Sequence, residues 1–233
     1  MRVIAGTARG RPLTGPAGSA TRPTSDKVKG ALFSMIESLL ATARPRPTIP
    51  QEELVPGGEE IWEGLTVLDL YAGTGALGIE ALSRGAAWCD FVESNAAARR
   101  IIERNLKVTG LDNRARVISL SVEKVVEGAA GSSLHAPYGV VLADPPYADL
   151  SVADVVATVA REQLLENQGL VAVEHSRRVA LPAWYSNDNS MPGGLREVRE
   201  RHHGDTVLSI YRRVSEKREG DDNADDGDLP GEL

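Results

Sequence analysis

One cysteine, two phenylalanines and four histidines among 233 residues leave little material for several kinds of chemistry. The lone thiol, Cys89, cannot close an intramolecular disulfide, and its apolar surroundings suit a buried, inert group. His135, His175 and the pair His202-His203 lack partners at metal-ligand spacing, so no metal is expected. Trp62, Trp88 and Trp184 are too scattered to form a base-stacking platform and read as packing residues. No apolar run approaches the roughly 20 residues of a bilayer-spanning helix. The opening Met1-Arg2-Val3-Ile4-Ala5-Gly6 runs into Arg9 and Arg11 without the apolar stretch of a secretory signal, which leads to the expectation of a cytoplasmic protein that does not enter membranes.

What is present is unevenly charged. The net charge of -7 rests on residues 219–233, which carry seven acidic groups and no basic one; without them 26 basic residues face 26 acidic ones. That stretch is too polar to fold and is expected to be disordered. At the other end Arg2, Arg9, Arg11, Arg22, Lys27 and Lys29 are opposed only by Asp26. This local excess on a Gly/Pro-rich arm could hold the phosphates of a nucleic acid, or could be a solvated surface.

The chain divides on this reading into a basic arm, a helix and a Pro-rich loop over 1–63, an α/β domain over 64–214 and an acidic tail over 215–233. Val3 to Thr14 reads as a small hairpin or extended arm. A helix follows, capped at Thr24 or Ser25, with Val28, Ala31, Leu32, Met35, Ile36, Leu39 and Leu40 forming one stripe. Residues 41–63, with four prolines and Gly57-Gly58, read as an exposed loop without structure of its own. Beyond Gly64, strands are expected at Thr66–Leu70, Trp88–Val92, Arg116–Leu120, Val140–Ala143 and Leu170–Glu174. Helices are expected at Ala76–Ser83, Asn95–Thr109, Val122–Glu127 and Val152–Arg161. Leu195–His202 and Thr206–Arg212 flank Gly204-Asp205 as an antiparallel hairpin. The alternation describes a Rossmann-like α/β fold, a mainly parallel seven-stranded sheet closed by that hairpin.

Two segments carry the chemistry. Asp69-Leu70-Tyr71-Ala72-Gly73-Thr74-Gly75-Ala76-Leu77-Gly78 turns a buried strand into a helix, and its glycines admit a ligand to the backbone. Read literally, Gly73, Gly75 and Gly78 match a dinucleotide fingerprint, with Glu93 near the position of a ribose-binding acid. A nicotinamide-dependent oxidoreductase therefore stays open. Asp69 suits the cationic amino-acid half of S-adenosylmethionine better than a pyrophosphate. Ser121 and Val122 fall where the adenine would rest. The second segment is Asp144-Pro145-Pro146-Tyr147, at the carboxyl end of an apolar strand. The prolines fix the chain and offer only acceptors, so the Asp144 carboxylate and Pro145 carbonyl can bind both hydrogens of a base amine. Tyr147 can stack on the base. The amine could belong to RNA, or to a DNA adenine or cytosine.

On Arg22-Pro23-Thr24-Ser25-Asp26-Lys27-Val28-Lys29, on Asp69 to Gly78 followed by Glu80-Ala81-Leu82-Ser83-Arg84-Gly85-Ala86, and on Asp144-Pro145-Pro146-Tyr147, the chain resembles the bacterial 16S ribosomal RNA guanine-N2 methyltransferases of the RsmD type. The resemblance extends to Arg213. It implies a class I methyltransferase that uses S-adenosylmethionine to modify one guanine of 16S RNA in an assembling small subunit; nothing in the sequence demands more than a monomer. Gly30 and Ser121 stand where that family usually carries an acid, and segment 41–63 is longer than its pattern.

Overall fold

A computed structural model describes residues 1–15, 25–43, 59–126, 128, 134–146, 152–161, 164–187 and 193–215. Arg22, Thr24, Tyr147, most of the Pro-rich segment and the acidic tail lie outside them.

The elements in chain order are α1 (Asp26–Ala43), α2 (Glu59–Trp62), β1 (Thr66–Leu70), α3 (Ala76–Ser83), β2 (Trp88–Val92), α4 (Ala96–Thr109), β3 (Ala115–Ile118), α5 (Val122–Val126), β4 (Tyr138–Ala143), α6 (Val152–Arg161), β5 (Leu165–Ser176), β6 (Trp184–Ser186), β7 (Gly194–His203) and β8 (Thr206–Val214). The strands form one sheet in the order β3-β2-β1-β4-β5-β8-β7-β6. The first five are parallel, and the pairs β5–β8, β8–β7 and β7–β6 are antiparallel. The sheet thus has eight strands rather than the seven expected. The additional one, β6, pairs only through Trp184↔Arg196, Tyr185↔Leu195 and Ser186↔Gly194. Three residues give no readable alternation, which is why composition hides it.

Helices cover both faces. Apolar side chains of α1, α3 and α4 share one core with the arm residues Val3, Ala8 and Leu13. Those of α5 and α6 form the core on the opposite face. Helix α3 is buried along its whole length and lies close to the sheet. Gly78 makes that approach possible, because a Cβ there would sit 2.4 Å from the Phe91 ring and 2.7 Å from Cys89 Sγ. Helix α4 is capped by Asn95, whose side chain accepts from the amides of Ala97 and Ala98, and ends at Gly110 with φ of 73°. Asp90, buried in β2, accepts from Arg116, the Tyr138 hydroxyl, the His135 amide and Trp88 Nε1, which together satisfy its charge.

Residues 1–14 form a hairpin closed by an Arg2↔Pro12 bridge, and it docks on α3. The amides of Ile4 and Ala5 donate to the two oxygens of Glu80, and Ala8 N–H donates to Ser83 Oγ. The short α2 and the extension of α1 to Ala43 replace part of the loop expected over 41–63. Trp62 is fully buried there, its ring 5.4 Å from that of Phe33 and its N–H on Glu37.

Candidate functional site

Strands β1 and β4 are parallel neighbours with Leu70 opposite Ala143. The chain therefore leaves the sheet at Tyr71 and at Asp144 side by side, about 4.8 Å apart, on the edge where open α/β sheets bind ligands. The two motifs meet in space.

The first turn is held in a strained shape. Tyr71 has φ of 57°, Gly73 54° and Gly75 76°, all in the left-handed region that a side chain disfavours. Glu93 anchors the loop to the end of β2: its Oε2 accepts from Gly73 N–H at 2.9 Å and its Oε1 from Asn95 N–H at 2.7 Å. Half-buried, Glu93 keeps further lone pairs for a ligand hydroxyl. Asp69 lies beneath the loop rather than on its surface. It is 1% exposed, and its Oδ2 accepts the Gly78 N–H at 2.8 Å, holding the first turn of α3. Burial raises its pKa to about 7, opposed by the Gly78 hydrogen bond and reinforced by the negative charges of Asp144 and Glu93. Beyond β3, Ser121 is half-buried and its carbonyl accepts Val125 N–H, starting α5; Val122 is buried, presenting apolar surface.

At the second turn Asp144 is half-buried, Pro145 buried and Pro146 exposed. All three line a pocket with Val152, Glu174, His175, Ser176 and Val179. The sequence reading missed the last four, which come from the end of β5 and the turn after it. Their signal was available, since Leu170–Glu174 was expected to end at the same sheet edge as Ala143. His175 is held by Ser209 Oγ and the Ser176 carbonyl, and burial lowers its pKa.

The basic arm is only partly available to phosphate. Arg9 and Lys27 are exposed, Arg11 is exposed while touching the Val108 carbonyl, and Arg2 forms a solvent-facing pair with Asp26 at 3.4 Å. Lys29 is a correction. It is fully buried, its Nζ 3.1 Å from Glu80 and 2.8 Å from the Arg2 carbonyl, so it cannot meet RNA. Its spacing told as much: Lys29 shares a helical face with Phe33, Ile36 and Leu40. Cys89 is buried, and burial raises its thiol pKa. Among the described residues no three His, Cys, Asp or Glu side chains group as metal ligands, and no helix is long and apolar enough to cross a membrane.

An open sheet that reverses direction only beyond its fifth strand, with a glycine loop on the first and an acceptor-only turn on the fourth, is the architecture of Rossmann-like class I methyltransferases. A solved structure, that of a hypothetical protein of Thermus thermophilus, superposes with a TM-score of 0.66 at 26% identity, covering 90% of this chain and 98% of that one. The chain belongs to the family described as Conserved hypothetical protein 95, which matches residues 1–212. A Bacillus subtilis (strain 168) relative, "Putative rRNA methyltransferase YlbH", is 33% identical over 91% of this chain and 99% of its own length. "Ribosomal RNA small subunit methyltransferase D" of Escherichia coli (strain K12) is 26% identical over 97% and 94%. The resemblance to methyltransferases of the RsmD type drawn from the sequence therefore holds.

Proposed function

We propose that this methyltransferase modifies the exocyclic N2 amine of a guanine in 16S ribosomal RNA, acting as a cytoplasmic monomer on an assembling small subunit. The observation that carries the reading is the Leu70↔Ala143 register, which joins a cofactor loop to an acceptor-only turn. The relatives named as rRNA methyltransferases support RNA as the substrate class.

S-adenosylmethionine supplies an activated methyl on a sulfonium centre. The residues present fit it: Asp144 and Glu93 are close enough for their charges to help raise the pKa of Asp69, a field that suits a cationic ligand and opposes the pyrophosphate of a nicotinamide dinucleotide. Tyr71, Gly73 and Gly75 would hold its amino-acid part, Glu93 its ribose hydroxyls, and Ser121 with Val122 its adenine. Asp69 would act through its charge and by fixing α3.

The nucleophile is a base amine whose lone pair is delocalised into the ring. Asp144 and the Pro145 carbonyl would accept its two hydrogens and favour the pyramidal nitrogen required for in-line attack, while Pro146 holds the turn rigid and Tyr147 stacks on the base. Asp144 orients the amine first and takes the released proton second, an ordinary carboxylate being a weak base. Arg2, Arg9, Arg11, Arg22 and Lys27 would contact phosphates.

The test is methyl incorporation into small-subunit particles, free 16S RNA and DNA, with digestion of the product and mass spectrometry. N2-methylguanosine from particles is expected. Labelling of DNA alone, as N6-methyladenine or N4-methylcytosine, would replace this reading with its main rival. Calorimetry with S-adenosylhomocysteine and with NAD excludes or admits the oxidoreductase.

A further inference from the structure

Glu174, still within β5 and paired with Leu208 of β8, follows the Ala143↔Val173 pair by one residue, as Asp144 does on the neighbouring strand. It is only 7% exposed, and it lines the same pocket as Asp144 and Pro145. Asp144 and Pro145 recognise an amine, which guanine, adenine and cytosine all possess, so those two groups alone cannot choose among the bases. The ring nitrogen beside the amine differs. Guanine N1 carries a hydrogen, whereas adenine N1 and cytosine N3 present lone pairs.

An ionised carboxylate only accepts hydrogen bonds. At that position it would bind the guanine ring N–H and repel the other two bases, the edge on which a base drawn out of its stack is read. We infer that Glu174 reads the ring N–H next to the reacting amine and so restricts transfer to guanine. The inference rests on the guanine-N2 reading above, and it assigns Glu174 to base selection, leaving the methyl donor to the other side of the cleft.

The experiment uses small subunits reconstituted with 16S RNA that carries either guanine or 2-aminopurine at the modified nucleotide. 2-Aminopurine keeps the amine but has a lone pair at N1. It also lacks O6, a loss that affects wild type and variant alike. Wild type should favour guanine by roughly 100-fold or more in kcat/KM, as sites built around one hydrogen bond do. Glu174→Gln, whose amide can either accept or donate, should shrink that preference to roughly 10-fold or less while binding S-adenosylhomocysteine as wild type does. Glu174→Ala gives the same comparison if the glutamine variant does not fold. An undiminished preference in folded variants, or a wild type indifferent to 2-aminopurine, overturns the role of Glu174. A wild type that methylates no guanine in the subunit overturns the guanine reading itself, and the inference with it.

Discussion

The Lys29 ammonium lies 3.1 Å from a Glu80 carboxylate oxygen, and neither side chain reaches solvent. Around this pair converge the Arg2 carbonyl, the amides of Ile4 and Ala5, and Arg84, which also binds Glu37 and stacks over Phe33. The hub fastens the arm and α1 to α3, the helix that starts from the glycine loop.

Breaking the pair from one side leaves a charge buried with fewer partners. Glu80→Ala leaves Lys29 to the Arg2 carbonyl and Arg84 to Glu37, and should lower stability by about 3–5 kcal/mol, as removing one member of a buried ion pair does. Urea unfolding followed by circular dichroism measures this; a loss below about 1 kcal/mol would mean the network is dispensable.

Lys29 and the exposed arm cations should separate in binding experiments. Arg9→Ala and Arg11→Ala are each expected to reduce the salt-dependence slope of RNA binding by about 1. Lys29→Met should leave the slope unchanged while lowering the melting temperature. Filter binding to small-subunit particles across a salt series decides it, and a slope change for Lys29→Met would contradict its burial.

Gly6 should tolerate no side chain. Its φ is +77°, and a Cβ there would stand 1.7 Å from the Ser83 carbonyl oxygen at the end of α3. Gly6→Ala must lift the hairpin off the helix, with a loss of at least about 2 kcal/mol. Hydrogen exchange should show the Ile4 and Ala5 amides unprotected; retained protection would refute the contact.

In the proposed mechanism Asp144→Ala removes an acceptor from the reacting amine without touching the glycine loop. It is expected to depress kcat by at least about 100-fold, as loss of one preorganised polar group does. Calorimetric affinity for S-adenosylhomocysteine should stay within a few-fold of wild type. Substantial remaining turnover would remove Asp144 from the chemistry.

The raised pKa of Asp69, about 7, sets two pH dependences of known sign. The ligand's ammonium group favours the ionised carboxylate, so affinity for S-adenosylhomocysteine should climb between pH 6 and pH 8 with protons released on binding. For the free protein the sign is opposite. The folded pKa lies above the ordinary 3.8, so the stabilising contribution is whole below that value and lost as pH rises through about 7. Asp69→Asn, neutral and still able to accept from Gly78, should raise the melting temperature more at pH 8 than at pH 5. It should also weaken cofactor binding and flatten its pH profile, and an unaltered profile would show that Asp69 does not govern it.

Where burial was two-sided, the chain declared its structure. Thr66–Leu70, Trp88–Val92, Ala76–Ser83 and Val152–Arg161 have the bounds expected from their apolar runs and the glycines or polar residues between them. Strand β5 begins at Leu165, five residues before the expected Leu170, because Glu166, Asn167 and Gln168 mask it, the last with φ of 64°. The glycine turn after β1 and the place of Asp144 at the end of β4 were legible from local pattern. The end of β5 at that sheet edge and the helical face of Lys29 could also be read, but the placing of Glu174 next to Asp144 and of Lys29 on Glu80 could not, since each depends on which neighbour the fold brings alongside.

Asn105 grips both backbone groups of Thr14 and, through the same amide, the carbonyl of Thr74. The side chains that hold Ile4, Ala5, Ala8 and Thr14, namely those of Glu80, Ser83 and Asn105, lie 75 to 91 positions downstream. At about 5–20 residues per second of translation, the arm must wait roughly 4 to 18 s before its seat has been synthesised. A segment made so far ahead of its seat is therefore among the last to lock, and until it does a nascent chain exposes Val3, Ala8 and Leu13 to whatever chaperone is nearby.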